Sequence, residues 1–227
     1  SVTENERDCT TLPVAPAVSA MDTGRAVSGP AHEASQFDLL RERRFAPFFW
    51  TQFLGAANDN VFKNALVIFV AFQAAGMTSM DPNTLVNLAG AVFIAPFMLL
   101  SATGGQLADK FEKSRLIRAI KLFEIAIMAV GLAGFWMRDL ATLFTALALM
   151  GVHSTLFGPV KYAILPQHLK PEELVGGNGL VEMGTFVAIL LGTIAGGILV
   201  AMAPGGPARA GAVAVVVAVI GWLASRG

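Results

Sequence analysis

Six apolar segments, at 45–72, 84–103, 115–137, 140–158, 176–202 and 208–225, occupy most of the chain after residue 44. Each is long enough to cross about 30 Å of hydrocarbon, which takes ~20 residues of helix. Inside a bilayer no water satisfies backbone N–H and C=O groups, so segments of this kind have to be helical. The ~10-residue alternating strands of a membrane barrel do not occur. The expected fold class is an all-α membrane protein with six transmembrane helices. Composition supports this: hydrophobic residues make up 55% of the 227 and charged residues only 14%, against about 25% charged in a soluble domain.

The charges are unevenly spread. Residues 1–44 hold seven of the 16 acidic and five of the 16 basic residues, along with Pro13, Pro16, Gly24, Gly29 and Pro30. That composition reads as a disordered cytoplasmic tail. Its acidic start at Glu4, Glu6 and Asp8 and its lack of a basic region argue against a signal peptide. The chain begins at Ser1, and Met21 is an alternative start. Arg41, Arg43, Arg44, Lys110, Lys113, Arg115, Arg118, Lys161, Lys170 and Arg226 flank the spans on one side, and only Arg138 and Arg209 on the other. The positive-inside rule then puts both ends of the chain in the cytoplasm. The expected external links, Gly76–Asn83, Arg138–Asp139 and Pro204–Pro207, are short. The internal ones, 104–114 and 159–175, are longer and more polar. Pro159, Pro166 and Pro171 are expected to break the second, leaving Val160–Leu169 as a small interfacial helix.

Several function classes drop out. The formal net charge is +0, so no basic footprint points to nucleic acid. Cys9 is the sole cysteine, and His32, His153 and His168 have no ligand spacing, so neither a disulfide framework nor a metal site is expected. No phosphate-binding glycine loop, G-x-S-x-G elbow or H-x-x-x-x-D pattern appears. No cofactor and no enzymatic centre are expected within these residues.

Charges inside the spans remain. Asp59 lies near the middle of the first span between Asn58 and Asn60, with Lys63 and Asn64 one turn on. An ionised side chain at such depth costs at least ~2.5–3.5 kcal/mol. The spacing of Asp59 and Lys63 allows mutual neutralisation on one helix face. The third span carries Lys121 and Glu124, and the fifth carries Glu182 at a depth like that of Lys121. Asp59, Asn60, Lys63, Lys121 and Glu182 are therefore the candidate binding residues, on three helices around a shared polar cavity. Snorkelling of Lys121 and a structural Asp59–Lys63 pair are the alternatives. Glu124 reads as a local partner of Lys121, and His153 as an interior hydrogen-bonded residue outside the site. Gly192-x-x-x-Gly196 in the fifth span is expected to be a close-packing face.

The segment after the second span runs Gly105-Gln106-Leu107-Ala108-Asp109-Lys110-Phe111-Glu112-Lys113-Ser114-Arg115. It resembles the G-x-L-x-D-[RK]-x-G-[RK] loop of the major facilitator superfamily, with Glu112 where that pattern has Gly. The likeness implies a conformational loop in which Gly105 permits close helix contact, Asp109 meets cations and helix ends, and the basic residues Lys110 and Lys113 hold the loop at the cytoplasmic face. Three further segments carry a narrower likeness: Phe53–Asn60, Phe157–Leu165 and Asn178–Glu182. Together with the loop, they resemble the bacterial lysophospholipid transporter family, a branch of that superfamily, from about residue 45 to 200. The resemblance implies an inner-membrane facilitator that moves lysophospholipid across the bilayer by alternating access. It also implies twelve spans in a whole member, so that this chain corresponds to an amino-terminal six-helix half lacking its carboxy-terminal partner half. Some members are fused to acyltransferase and acyl-carrier-protein ligase domains. The alternative readings are an ion-coupled facilitator for another small solute and the membrane portion of such a fused enzyme.

Overall fold

The structure, a computed structural model, describes residues 36–74, 76–202 and 204–226. Among these the fold is all-helical. Six long helices, α1 (Ala46–Gln73), α2 (Pro82–Lys110), α3 (Lys113–Met137), α4 (Leu140–Ala163), α6 (Leu174–Ala201) and α7 (Gly206–Ala224), correspond to the six apolar segments. A single turn, α5 (Leu165–His168), and two 3-10 turns at Gln36–Arg41 and Pro171–Glu173 complete it. Four stretches, Pro82–Lys110, Leu140–His168, Pro171–Ala201 and Gly206–Ala224, are long and apolar enough to cross a membrane. Large apolar side chains such as Met98, Leu99, Phe186 and Leu190 stay exposed on them. The remaining two long helices, α1 and α3, contribute most of the interior polar groups.

The tail expected over 1–44 lies, for residues 1–35, outside the described residues. Residues 36–44 are folded: Leu39 is buried, and the turn Gln36–Arg41 packs on α6. Arg44 then forks onto Glu173 with two 2.8 Å bonds and donates to the His168 carbonyl at 3.1 Å. This charged fork ties the start of α1 to the start of α6. Hydrogen bonds to Glu173 and Glu42 push the Arg44 guanidinium above its ordinary pKa.

The polar connections are shorter than expected, because helix takes up most of them. Gly105, Asp109 and Lys110 lie in the last turns of α2, and Lys113 opens α3. Only Phe111 and Glu112 intervene. The turn needs no glycine, since Glu112 has φ −63° and its carboxylate caps α3 by accepting from the N–H groups of Ser114 (2.9 Å) and Arg115 (2.7 Å). Asp139 caps α4 in the same way, accepting from Thr142 at 2.8 Å. Pro82 and Pro207 sit in the first turns of α2 and α7, where a missing N–H costs nothing.

Pro159 does not end the fourth helix, which runs on to Ala163. Residues 160–163 belong to α4, so the separate interfacial helix expected there is reduced to the single turn α5. Proline removes one hydrogen bond, that to the Thr155 carbonyl. Buried Val160 and Lys161 hold the following turn in place.

The helices pair out of chain order: α1 with α6, α2 with α4, and α3 with α7. Small residues set these approaches. Gly192 faces the Ala57 carbonyl of α1, and a Cβ on Gly196 would lie 2.6 Å from the Val61 oxygen. The expected packing face is therefore real, and Gly184 extends it against Phe49. Between α2 and α4, a Cβ on Gly104 would lie 2.8 Å from the Thr155 oxygen, whereas Gly105 has open space around it. The close contact foreseen at Gly105 belongs to its neighbour.

Two outcomes follow. Gly104→Ala should lower the apparent Tm, at a cost of about 1–3 kcal/mol for overpacking against backbone. Gly105→Ala should raise it slightly through helix propensity. Thermal unfolding in detergent distinguishes them, and equal shifts would contradict the assignment. The Glu112 and Asp139 carboxyls are held below their ordinary values of 4.5 and 3.8, by backbone hydrogen bonds at Glu112 and mainly by the Thr142 hydroxyl at Asp139. Their contribution is complete above those values and is lost as pH falls through the lower folded-state pKa values. Glu112→Gln should accordingly flatten the acid limb of the stability–pH curve.

Candidate functional site

A buried carboxylate organises the middle of the bundle. Glu124 of α3 is fully buried. Its Oε1 accepts from Asn58 Nδ2 of α1 at 2.8 Å, and its Oε2 pairs with Lys121 Nζ one turn earlier. The Nε2 of His153, on α4, lies 3.4 Å from the same Oε2 without an aligned hydrogen bond. The imidazole stacks on Phe157 with centroids 6.2 Å apart. Lys121 is only 1% exposed. Glycines make room for its ammonium: a Cβ on Gly55 of α1 would stand 2.7 Å from Nζ, and one on Gly221 of α7 would stand 3.3 Å away.

Asp59 adjoins this cluster. Its Oδ2 accepts from Ser154 Oγ of α4 at 2.9 Å. Its Oδ1 is buried and has no hydrogen-bond partner among the described residues, and the same holds for Asn58 Oδ1 and both ring nitrogens of His153. Adjacent residues on α1 thus face adjacent residues on α4, with spare acceptor capacity between them. Unsatisfied buried acceptors are uncommon and favour a site that takes a donor or cation.

A second polar group lies further along α4. Lys161 Nζ donates to Thr185 Oγ1 at 2.8 Å and lies 3.4 Å from Glu182 Oε1, to which Tyr162 OH also donates. Thr185 Oγ1 bonds in turn to Gln52 Oε1 at 3.0 Å. Seven residues of α4 separate Ser154 from Lys161, about 10 Å at 1.5 Å per residue.

The expected binding residues therefore divide. Lys121 lies in the first cluster and Asp59 beside it, since its neighbour Asn58 donates to the Glu124 carboxylate that pairs with Lys121. Lys121 is enclosed within an ion pair, not snorkelling. Glu182 joins the second cluster and is bound by Lys161 and Tyr162. Asn60 donates to the Ala56 carbonyl of its own helix at 2.7 Å. Lys63 turns from Asp59 to the Phe93 ring, 4.5 Å from its centroid, beside a cavity of about 100 Å³. Asp109 and Lys110 are exposed at the end of α2.

Sequence reasoning kept Glu124 and His153 outside the site and overlooked Ser154, Lys161, Tyr162, Thr185 and Gln52. The Lys121–Glu124 spacing was a usable signal. Neither the adjacency of His153 and Ser154 nor that of Lys161 and Tyr162 discloses which way an apolar helix is turned.

Removing one partner of a buried ion pair leaves a charge uncompensated. Glu124→Gln should therefore destabilise the protein by about 3–5 kcal/mol. The double variant Lys121→Met/Glu124→Gln should recover most of the loss. A double-mutant cycle on thermal unfolding measures the coupling, and additive losses would contradict it.

The chain is 32% identical over 160 residues to the lysophospholipid transporter LplT of Serratia proteamaculans (strain 568), covering 70% of this chain and 37% of that protein. To the lysophospholipid transporter LplT of Yersinia enterocolitica it is 32% identical over 148 residues, covering 65% of this chain and 34% of the relative. The protein of that name from Yersinia pestis (strain Pestoides F) is 31% identical over 163 residues, covering 70% and 36%. The chain thus spans little more than a third of the curated relatives it matches. No protein-family model matches it, and no solved structure does.

Proposed function

We propose that this chain forms part of a lysophospholipid transporter of major facilitator type, in which its six long helices make one half of an alternating-access bundle. The observation that carries this reading is the likeness to proteins named lysophospholipid transporter along 160 residues, 70% of the chain. The interior chemistry supports it. A lysophosphatidylethanolamine headgroup pairs a phosphate with an ammonium, and Asp59 Oδ1 is a buried acceptor without a partner among the described residues. Asp59 receives the ammonium, and Lys63, one helical turn away with its ammonium 4.5 Å from the Phe93 ring centroid, attracts the phosphate. Asn60, beside Asp59, completes the polar stretch of α1.

Lys121 has a different part. Enclosed by Glu124, Gly55 and Gly221, it fixes the carboxylate that holds Asn58, the neighbour of Asp59. Glu182 and Lys161 form a further polar station nearer the basic end of the bundle, available to a headgroup moving along α4. Gly105, Asp109, Lys110 and Lys113 act as a conformational latch at that end. The protein sits in a bacterial inner membrane, with the basic end and both ends of the chain in the cytoplasm, and a second six-helix half supplies the other wall. The reading assigns no catalysis to these residues; in a fused protein an acyltransferase would act on the delivered lipid.

The test is flipping of labelled lysophosphatidylethanolamine by the full-length protein in proteoliposomes. Asp59→Asn should reduce the rate at least tenfold while leaving the apparent Tm within a few degrees. The loss should be smaller for a lysolipid whose headgroup lacks a cation. Wild-type turnover by Asp59→Asn would overturn the assignment. An equal loss for both lipids would move Asp59 from headgroup contact to ion coupling.

A further inference from the structure

We infer that the basic end of the bundle carries a second lipid site, separate from the interior clusters, that holds the phosphodiester of an anionic diacyl phospholipid. A cavity of about 130 Å³ opens there between the first turns of α1 and α3 and the last turns of α4 and α7. Arg43, Arg44, Ser114, Arg118 and His168 line it, and Phe48 is part of its apolar wall.

The three arginines are not equivalent. Arg44 is neutralised by Glu173 and Glu42. Arg43 and Arg118 are exposed and have no acidic partner among the described residues. Two guanidinium groups without an acidic partner among the described residues thus share one concavity. The first N–H groups of α3 are already taken by Glu112, so an incoming anion is held by the arginine forks and not by the helix end. Guanidinium forks match the oxygens of a phosphate, two bonds at a time.

The location selects the source of that phosphate. The cavity lies at the ends of four helices, at the depth where headgroups stand if those helices span a bilayer. The buried side chains of Phe48, Ile117 and Ile164 form its floor. A lipid phosphodiester meets the arginines while its glycerol and upper acyl carbons lie on apolar wall. Basic pockets between transmembrane helices on the cytoplasmic side bind anionic headgroups in this way. The inference depends on the helices spanning a membrane and not on the identity of the transported lipid.

The experiment titrates purified full-length protein in neutral detergent with phosphatidylglycerol, phosphatidylcholine or inorganic phosphate, reading apparent Tm and bound lipid by native mass spectrometry. Phosphatidylglycerol should bind and raise Tm, while the other two should do neither. The double variant Arg43→Ala/Arg118→Ala should weaken phosphatidylglycerol binding at least roughly tenfold, as expected for lost charge-assisted contacts. Arg115→Ala, which removes an exposed charge outside the cavity, should bind as wild type does. If the double alanine variant fails to fold, Arg43→Lys/Arg118→Lys keeps the charges and loses the forks, and should bind several-fold more weakly. Unchanged binding in the double variants would overturn the site. So would an equal loss in Arg115→Ala, which would mark a diffuse charge effect. Stabilisation by inorganic phosphate to the same extent would replace the lipid with a soluble anion.

Discussion

The interior depends on one carboxylate that has no access to water. Glu124 is tolerated because Lys121 neutralises it and Asn58 donates to its second oxygen. Desolvating such a pair costs more than a surface pair returns, so geometry and additional hydrogen bonds decide whether it persists. The surrounding helices are shaped accordingly. Glycines at 55 and 221 leave space for the ammonium, and α4 brings His153 to the far side. Once this knot has formed, α1, α3, α4 and α7 have little freedom to rotate about their own axes. Asp59 is placed as a consequence, facing Ser154 with one oxygen that has no partner among the described residues.

Packing elsewhere relies on the absence of side chains. With no hydrophobic force between helices in lipid, close backbone approach and dispersion carry association. Gly192 and Gly196 against carbonyls of α1, Gly104 and Gly151 against carbonyls of α4 and α2, and Gly211 against Leu132 repeat that device at three interfaces.

The six apolar segments were legible because hydropathy reports length directly, and their ends fall within a few residues of the helix ends at most positions. Polar ends were read less well. Hydropathy treats Leu107, Asp109 and Lys110 as loop, although a capped helix carries charges through its last turn once its end leaves the apolar region. Pro159 misled for a related reason: one lost hydrogen bond is weaker than the packing of the turn after it. The candidate site was half legible. Buried charges announce themselves in an apolar span, so Asp59 and Lys121 stood out. Their partners on other helices did not, because helix rotation decides that Asp59 faces Ser154, that Glu124 faces Asn58 and that Glu182 faces Tyr162, and nearly uniform apolar faces carry no mark of rotation.

Pro96 and Pro159 give the α2–α4 pair a mechanical character that the α1–α6 pair lacks. Each proline deletes one rung from its helix, at Val92 and at Thr155. Glycines of the facing helix lie close to both places: Gly151 beside Phe93 and Pro96, and Gly104 against Thr155. Bending at either point has one hydrogen bond fewer to strain than at an unbroken turn. No proline interrupts the body of α1 or α6 beyond the first turn. The α2–α4 interface thus places the weakened turn of each helix against a glycine of the other, so that a bend in one can be followed by its partner without a side chain standing in the way.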